Sequence, residues 1–152
     1  MYKRQDEAWL AYTGDEEDSI HLHTYFDIPE GWAAPDLAAR WAQIRGLRSE
    51  VMTALETARN EGTIGGGLSA DIKITAPQQT ADLLDGIDLA SLFITSSAAL
   101  EVGDQTDIQV AVRRADGGKC ARCWKIVSEL PADNDAAICA RCVTVLADTV
   151  KG

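Results

Sequence analysis

The sequence predicts an α+β protein with three parts: a long amphipathic helix, a small mixed α/β junction unit and a C-terminal four-cysteine finger. Apolar residues recur at three- and four-residue steps after Pro35, which indicates the helix. Short alternating runs between residues 65 and 115 indicate the α/β unit, and all four cysteines follow it. We therefore expect three domains, at residues 1–64, 65–115 and 116–152.

Composition limits the kind of protein this is. The chain has 152 residues, of which 46% are hydrophobic and 25% charged, as is typical of a globular protein. Its formal net charge of −10 excludes a protein that coats nucleic acid with its whole surface. It has no run of about 18 apolar residues and no apolar signal core, so we expect a cytoplasmic protein that neither spans a membrane nor is secreted.

The first 31 residues look irregular. Within them, residues 19–26 alternate in polarity, which predicts a short strand or an extended strap. His21 and His23 would share one face of that strap. We expect both to be ordinary surface histidines, because metal sites are usually announced by clustered ligands.

The long helix is expected to begin at Pro35 and to end near Asn60, where residues typical of helix termination appear. Arg45, Arg48 and Arg59 lie mostly off its apolar stripe, so we expect them to face solvent. The stripe itself consists of Leu37, Trp41, Ile44, Leu47, Val51, Leu55 and Ala58.

The α/β unit is expected to contain strands at residues 68–75, 90–96 and 107–113 and a short helix at residues 77–84. The glycines at residues 65–67 precede it. They lack the spacing and the Lys-Ser/Thr pair of a nucleotide-binding loop, so they are interpreted as a flexible break.

The four cysteines carry the clearest chemical signal. Their spacing is C-x2-C-x15-C-x2-C, and two such knuckles supply the four tetrahedral thiolates that zinc prefers. We expect one structural Zn²⁺, because four protein ligands leave no open position for a reactive water. Disulfides are the alternative, and iron is a possible substitute metal. The proposed ligands are Cys120, Cys123, Cys139 and Cys142.

Charge is distributed unevenly along the chain. Residues 1–34 and 77–110 each carry a net −6, whereas residues 111–152 carry +2. A basic cluster within an acidic protein could dock a polyanion in one orientation, or could simply be a solvated loop. Four thiolates around one Zn²⁺ would offset the +2. Whether this segment binds a polyanion therefore depends on where its basic side chains point. Trp124, next to the second cysteine, could pack in the knuckle or stack on a base.

Two sets of motifs resemble the C-terminal part of bacterial isoleucyl-tRNA synthetases. The first is Trp41-x2-Ile44-x3-Arg48-x2-Val51-x3-Leu55-Glu56-x2-Arg59, followed by Ile64-Gly65 and Leu68. The second is Lys119-Cys120-x-Arg122-Cys123-Trp124 with Ile138-Cys139-x-Arg141-Cys142-Val143. This second set is similar to the zinc finger that closes those enzymes, a finger type also found in formamidopyrimidine-DNA glycosylases. The resemblance covers nearly the whole chain after about Asp6.

The resemblance implies a fragment of an enzyme that attaches isoleucine to its tRNA with ATP. This fragment would comprise the end of the helical anticodon-binding domain, the junction and the terminal finger, which helps hold the anticodon arm of the tRNA. The family's His-x-Gly-His and Lys-Met-Ser-Lys-Ser signatures are absent, so no residue is assigned a catalytic role and the fragment should be inactive alone. The implied RNA contacts are Arg113, Arg114, Lys119, Arg122, Trp124, Lys125 and Arg141.

The resemblance also implies partners. These are the isoleucine tRNA and the upstream domains of the same enzyme, whose parent is expected to be a monomer. The alternative is a zinc-ribbon module that binds DNA or protein and is related to the glycosylase finger.

Overall fold

The computed structural model describes residues 2–15, 17–130 and 137–149. The α+β class is confirmed, with helices, two small sheets and the four cysteines clustered together. Contacts divide the chain into two compact units, Met1–Pro35 and Asp36–Gly152. The three-domain division stays a prediction. None of the described helices is both long enough and apolar enough to cross a membrane.

The first unit contains a helix where irregular structure was expected. Helix α1 spans Tyr2–Thr13, and two short 3-10 turns follow at Ile20–Leu22 and Glu30–Trp32. Of the two forms expected for residues 19–26, the strand is wrong, because the segment begins with the 3-10 turn at Ile20–Leu22, which Ser19 caps by accepting from the backbone N–H of His21. His23, which follows the turn, has an extended backbone.

A hydrogen-bonded cluster around Asp18 organises the first unit. The Asp18 carboxylate accepts from the indole N–H of Trp9 at 2.6 Å and lies 2.8 Å from Nε2 of His23. These two hydrogen bonds, that of Trp9 first, hold the pKa of Asp18 below its usual range. His23 therefore belongs to this structural cluster.

Helix α2 spans Pro35–Asn60, as predicted. Five stripe residues are buried, namely Ile44, Leu47, Val51, Leu55 and Ala58, while Leu37 and Trp41 remain exposed. Beyond its end, Gly62 adopts a φ of +77°, a left-handed conformation that glycine tolerates without steric cost.

Arginines on α2 hold two short helices, α3 at Gln78–Leu83 and α4 at Leu89–Leu92. Arg40 donates to the carbonyls of Leu83 and Asp85, at 2.9 and 2.8 Å from Nη2. Arg48 donates from Nε to the carbonyl of Leu92 at 3.0 Å, so the expectation that it faces solvent is wrong. The carbonyls of Leu83 and Leu92 belong to the last residues of the two short helices, where the helix supplies no further N–H, and the carbonyl of Asp85 lies just beyond α3.

The main sheet has the order β2–β1–β3, with β1 at Ala70–Ala76, β2 at Ser97–Val102 and β3 at Gln109–Arg114. β1 pairs with β2 in parallel and with β3 in antiparallel fashion. Strands were expected near β1 and β3. The strand expected at residues 90–96 is wrong: most of that segment is α4 and its C-terminal turn. The side chain of Asp88 caps α4 by accepting from the N–H of Ser91, which favours a helical start over an extended chain.

The core lies between α2 and one face of this sheet. Ile72 and Ile74 of β1 are fully buried with Val51 and Leu55 of α2 and with Phe93. Burying each such side chain contributes about 1.5–3 kcal/mol. The helix and the sheet therefore form one packed base from which the finger extends.

The finger consists of strands β4 at Gly118–Lys119 and β5 at Ile126–Val127, followed by helix α5 at Ala140–Thr149. The two strands pair antiparallel. Gly117, just before β4, has a φ of +127°, and a Cβ there would clash with the carbonyl oxygen of Val127. Only glycine fits this position.

Candidate functional site

The four cysteines converge on one point, with all four Sγ atoms within 4.8 Å of one another. Sγ of Cys120 lies 3.9 Å from that of Cys142, and Sγ of Cys123 lies 3.8 Å from that of Cys139. A regular tetrahedron of thiolates at a Zn–S distance of about 2.3 Å requires S···S separations of about 3.8 Å. The cluster therefore fits one zinc ion, and all four cysteines are free thiols.

Two structural elements bring these ligands together. Cys120 and Cys123 lie on the turn between β4 and β5, which is closed by the N–H of Trp124 donating to the carbonyl of Cys120 at 3.0 Å. Cys139 directly precedes α5, and Cys142 lies in its first turn. The positive end of the α5 dipole therefore lies beside the second pair, which favours thiolates.

Hydrogen bonds and burial shift the pKa values of Cys120 and Cys123 in opposite directions. The backbone N–H of Cys123, with further donors at Cys139 and Arg122, lowers the pKa of Cys120 to about 6 against the effect of burial. Burial raises the pKa of Cys123 to about 11. Arg122 also reaches the Sγ of Cys142 at 3.7 Å. Part of the charge of a four-thiolate site is thus compensated by the finger itself.

The structure distributes the predicted basic contacts over several environments. Arg113 of β3 forms an ion pair with Asp71, the residue opposite it on the neighbouring strand β1. It also lies 4.0 Å from Asp116, so neighbouring carboxylates already compensate its charge. Lys125 is half-buried, and its charge contributes to the lowered pKa of Asp88, behind the hydrogen bonds from Ser91.

The other predicted basic residues are exposed, as Arg113 is. Lys119, Arg114 and Arg141 are exposed. Arg122 is exposed as well, although its guanidinium turns toward the cysteines. Lys119 is also the basic residue beside Trp124, with Nζ 5.7 Å from the ring centroid, within the range of a cation–π contact.

Trp124 is 60% exposed, which resolves the two possibilities that the sequence left open in favour of an accessible ring. Its backbone adopts a φ of +64°, an uncommon left-handed conformation for a bulky residue. The same residue donates the N–H that closes the knuckle, so the strain is held by the turn around the cysteines. The metal site thus fixes the position of an exposed indole.

A groove of about 300 Å³ lies beside this indole. It joins the finger to the loop that precedes β1, and its lining consists of Gly65, Gly66, Leu68, Ser69, Lys119, Trp124 and Ile126. From the sequence alone, these glycines were interpreted only as a flexible break. The unusual run of three glycines was the one signal in the sequence that could have marked them.

A single hydroxyl connects the finger with this loop. Ser96 Oγ accepts from the N–H of Ile126 and donates to the carbonyl of Leu68, both at 2.6 Å. One O–H group can serve both bonds at once. The two sides of the groove are therefore held in register by Ser96.

Nearly the whole length of the chain is similar to isoleucine–tRNA ligases. The chain is 42% identical over 144 residues to an isoleucine–tRNA ligase of Gluconobacter oxydans, covering 93% of this chain and 15% of that enzyme. It is 41% identical over 142 residues to isoleucine–tRNA ligase 2 of Burkholderia mallei, covering 90% and 14%. The chain matches one segment of the isoleucine–tRNA ligases. No family model matches it.

A third isoleucine–tRNA ligase, from Neisseria gonorrhoeae, is 36% identical over 142 residues, again covering 90% of this chain and 15% of the enzyme. The chain thus spans about one-seventh of the length of the ligases it matches. The resemblance stated from the motifs is confirmed, because the chain matches a segment of these ligases over at least 90% of its own length.

Proposed function

We propose that this chain is the C-terminal, tRNA-binding part of an isoleucine–tRNA ligase and that its finger helps hold the anticodon arm of the tRNA. One observation carries the proposal: in a chain that matches a segment of these ligases, the four-cysteine cluster presents an exposed indole, Trp124, with a lysine over its ring. An aromatic platform beside a cation is the usual means of holding an unpaired base.

The proposed metal ligands are Cys120, Cys123, Cys139 and Cys142, which would hold one structural Zn²⁺. The ion would supply folding energy rather than reactivity, because four thiolates complete its coordination. Residues of the finger would orient the aromatic ring and compensate the charge of the thiolates. The knuckle orients Trp124, and Arg122 compensates thiolate charge at Cys142.

The predicted RNA contacts fall into two groups. Lys119, Arg114 and Arg141 are exposed and would be available to phosphates. Arg113 and Lys125 lie beside carboxylates and would contribute less, since part of their charge is already compensated. We therefore expect Trp124 and Lys119 to contribute most to RNA affinity.

Attachment of isoleucine to tRNA would belong to the parent enzyme, a cytoplasmic monomer whose other domains would be partners of this chain. The matches to isoleucine–tRNA ligases favour this proposal over the alternative, a glycosylase-related finger that binds DNA or protein. Both possibilities are addressed by one binding experiment.

The test is a salt titration of binding. The zinc-loaded chain is mixed with a fluorescent anticodon stem-loop of isoleucine tRNA or with duplex DNA, and anisotropy is followed as salt increases. We expect preference for the stem-loop and affinity that falls steeply with salt. Lys119→Ala should weaken binding and reduce the salt slope by about 1. Lys73→Ala, at a lysine paired with Glu101 on the sheet, is the matched control.

Two results would refute the proposal. One is equal affinity for duplex DNA and the stem-loop. The other is no measurable binding to the stem-loop at low salt.

A further inference from the structure

We propose that Arg122 controls how long the finger retains its metal: the guanidinium donates a hydrogen bond to Sγ of Cys142 and slows the loss of zinc. This inference rests on the metal site of the proposed function and is independent of RNA binding. It goes beyond compensation of charge, because it makes one side chain responsible for the stability of the whole four-thiolate site.

The hydrogen bond from Arg122 crosses from one knuckle to the other. Arg122 lies on the turn between β4 and β5, and its Nη1 is 3.7 Å from Sγ of Cys142 in the first turn of α5. The two residues are 20 positions apart in the sequence. A thiolate that binds a metal carries negative charge on its sulfur, and a cationic N–H donor stabilises that charge. Arg122 therefore stabilises the metal-bound form of the finger.

The burial of Cys142 makes this donor important. Its side chain is 0% exposed, so water cannot supply a hydrogen bond in place of the guanidinium. The sulfur of Cys120 is equally buried but has a backbone donor, the N–H of Cys139 at 3.3 Å. Within the part of the chain that the structure describes, Arg122 is the residue whose N–H group reaches Sγ of Cys142. Loss of its guanidinium would leave this buried sulfur without that support.

Arg141 provides an internal comparison, because both knuckles have the sequence Cys-Ala-Arg-Cys. Arg141 is exposed and lies in the first turn of α5. Among the described residues, the hydrogen bonds that reach the four sulfurs come from other groups. The local backbone explains the difference: side chains on a helix point away from its axis, whereas a tight turn lets Arg122 fold back toward the metal ligands. We therefore expect only the first of the two arginines to affect the metal.

Zinc release tests this role without any RNA. The zinc-loaded chain is mixed with an excess of a chromogenic chelator, and the rate of metal release is measured for the unmodified chain, Arg122→Met, Arg122→Lys and Arg141→Met. Methionine keeps much of the aliphatic stem of arginine but removes its charge and its N–H groups. Arg141→Met is the matched control, because it removes the same groups from the equivalent position of the other knuckle.

Arg122→Met should release zinc roughly tenfold faster than the unmodified chain. This is the lower end of the range for a residue that contacts a metal ligand, as suits an arginine that is itself exposed. Arg122→Lys should release zinc at an intermediate rate, since lysine keeps the charge but not the planar fork of donors. Arg141→Met should release zinc at the rate of the unmodified chain.

The cobalt-loaded chain gives a second, spectroscopic readout. A sulfur that loses a hydrogen bond gives up its electrons to the metal more easily. The thiolate-to-cobalt charge-transfer band of Arg122→Met should therefore lie at longer wavelength than that of the unmodified chain. The band of Arg141→Met should not move. A general loosening of the fold would not by itself produce this difference between the two variants.

Several results would overturn the role of Arg122 while leaving the metal site intact. These are an unchanged release rate in Arg122→Met, an equal acceleration in Arg141→Met, or an unshifted cobalt band. If Arg122→Met cannot be loaded with metal, Arg122→Lys decides, and a release rate equal to that of the unmodified chain would count against the proposal. If the unmodified chain binds no zinc, the metal site of the proposed function fails together with this inference.

Discussion

Replacing Ser96 by alanine tests whether one hydroxyl joins the finger to the sheet. The substitution removes the bond from the N–H of Ile126 and the bond to the carbonyl of Leu68, both 2.6 Å long in the structure. The two partner groups stay where they are. We therefore expect the finger to separate from the sheet more easily, while the core between α2 and β1 stays packed.

The magnitude follows from what is left without a partner. Each hydrogen bond contributes about 0.5–1.5 kcal/mol net, and each buried group left unsatisfied costs about 1–3 kcal/mol. Ser96 is only half-buried, so water can reach part of the site and reduce the penalty. We expect a loss of about 1–3 kcal/mol in the free energy of docking the finger, which corresponds to roughly a 5- to 150-fold change in the equilibrium constant.

Amide hydrogen exchange of the zinc-loaded chain measures this directly. In Ser96→Ala, the amide of Ile126 should exchange faster by that factor, whereas amides in the centre of α2 should be unchanged. The control is Ser97→Ala, at an exposed neighbouring serine. Unchanged exchange at Ile126 in Ser96→Ala, or an equal effect in the control, would refute the role assigned to the hydroxyl.

Two further predictions concern the metal and the first unit. Cys139→Ala should release zinc and unfold the finger while circular dichroism still reports α2, and a variant that retains one zinc per chain would contradict the four-ligand assignment. For Asp18, whose pKa is lowered in the folded chain, the stabilisation is present above its unfolded value of 3.8 and is lost as pH falls through the lower folded value. The indole N–H resonance of Trp9 should therefore shift as pH falls below about 4, and Asp18→Asn should abolish that step. A Trp9 signal that is insensitive in this range would contradict the pairing.

The sequence was most informative where a single pattern determines the structure. The helix at Pro35–Asn60 was predicted, together with the five stripe residues that are buried, because a 3.6-residue period can be recognised without tertiary information. The cysteine cluster was predicted because ligand spacing reports the coordination geometry directly. Both patterns can be recognised in the sequence itself, although the helix packing and the cysteine cluster that they predict bring together residues that are far apart in the sequence.

The wrong predictions concern places where a side chain caps a helix or forms a hydrogen bond with a residue far away in the sequence. The apolar run at residues 90–96 looked like a strand, but capping by Asp88 starts a helix there and the strand begins at Ser97. Helix α1 carries no clear apolar stripe, so its period could not be seen. Arg48 looked solvent-facing because its acceptor, the carbonyl of Leu92, lies 44 residues away.

The surface around the metal was only partly predictable. The basic residues could be identified from the sequence. Only the structure shows that Asp71 compensates the charge of Arg113 and that Lys119 lies over the ring of Trp124. The participation of Gly65 and Gly66 in the same groove depends on how the finger docks. No spacing rule relates residues so far apart in sequence.

The arginine contacts of α2 also impose an order in time. The carbonyls that Arg40 binds lie 43 and 45 positions further along the chain. At a synthesis rate of 5–20 residues per second, a ribosome needs roughly 2–9 seconds to add that many residues. During this interval the apolar stripe of α2 has left the ribosome without the helices and the sheet that cover it. This part of the nascent chain is thus most exposed to aggregation or chaperone binding several seconds before its finger is made.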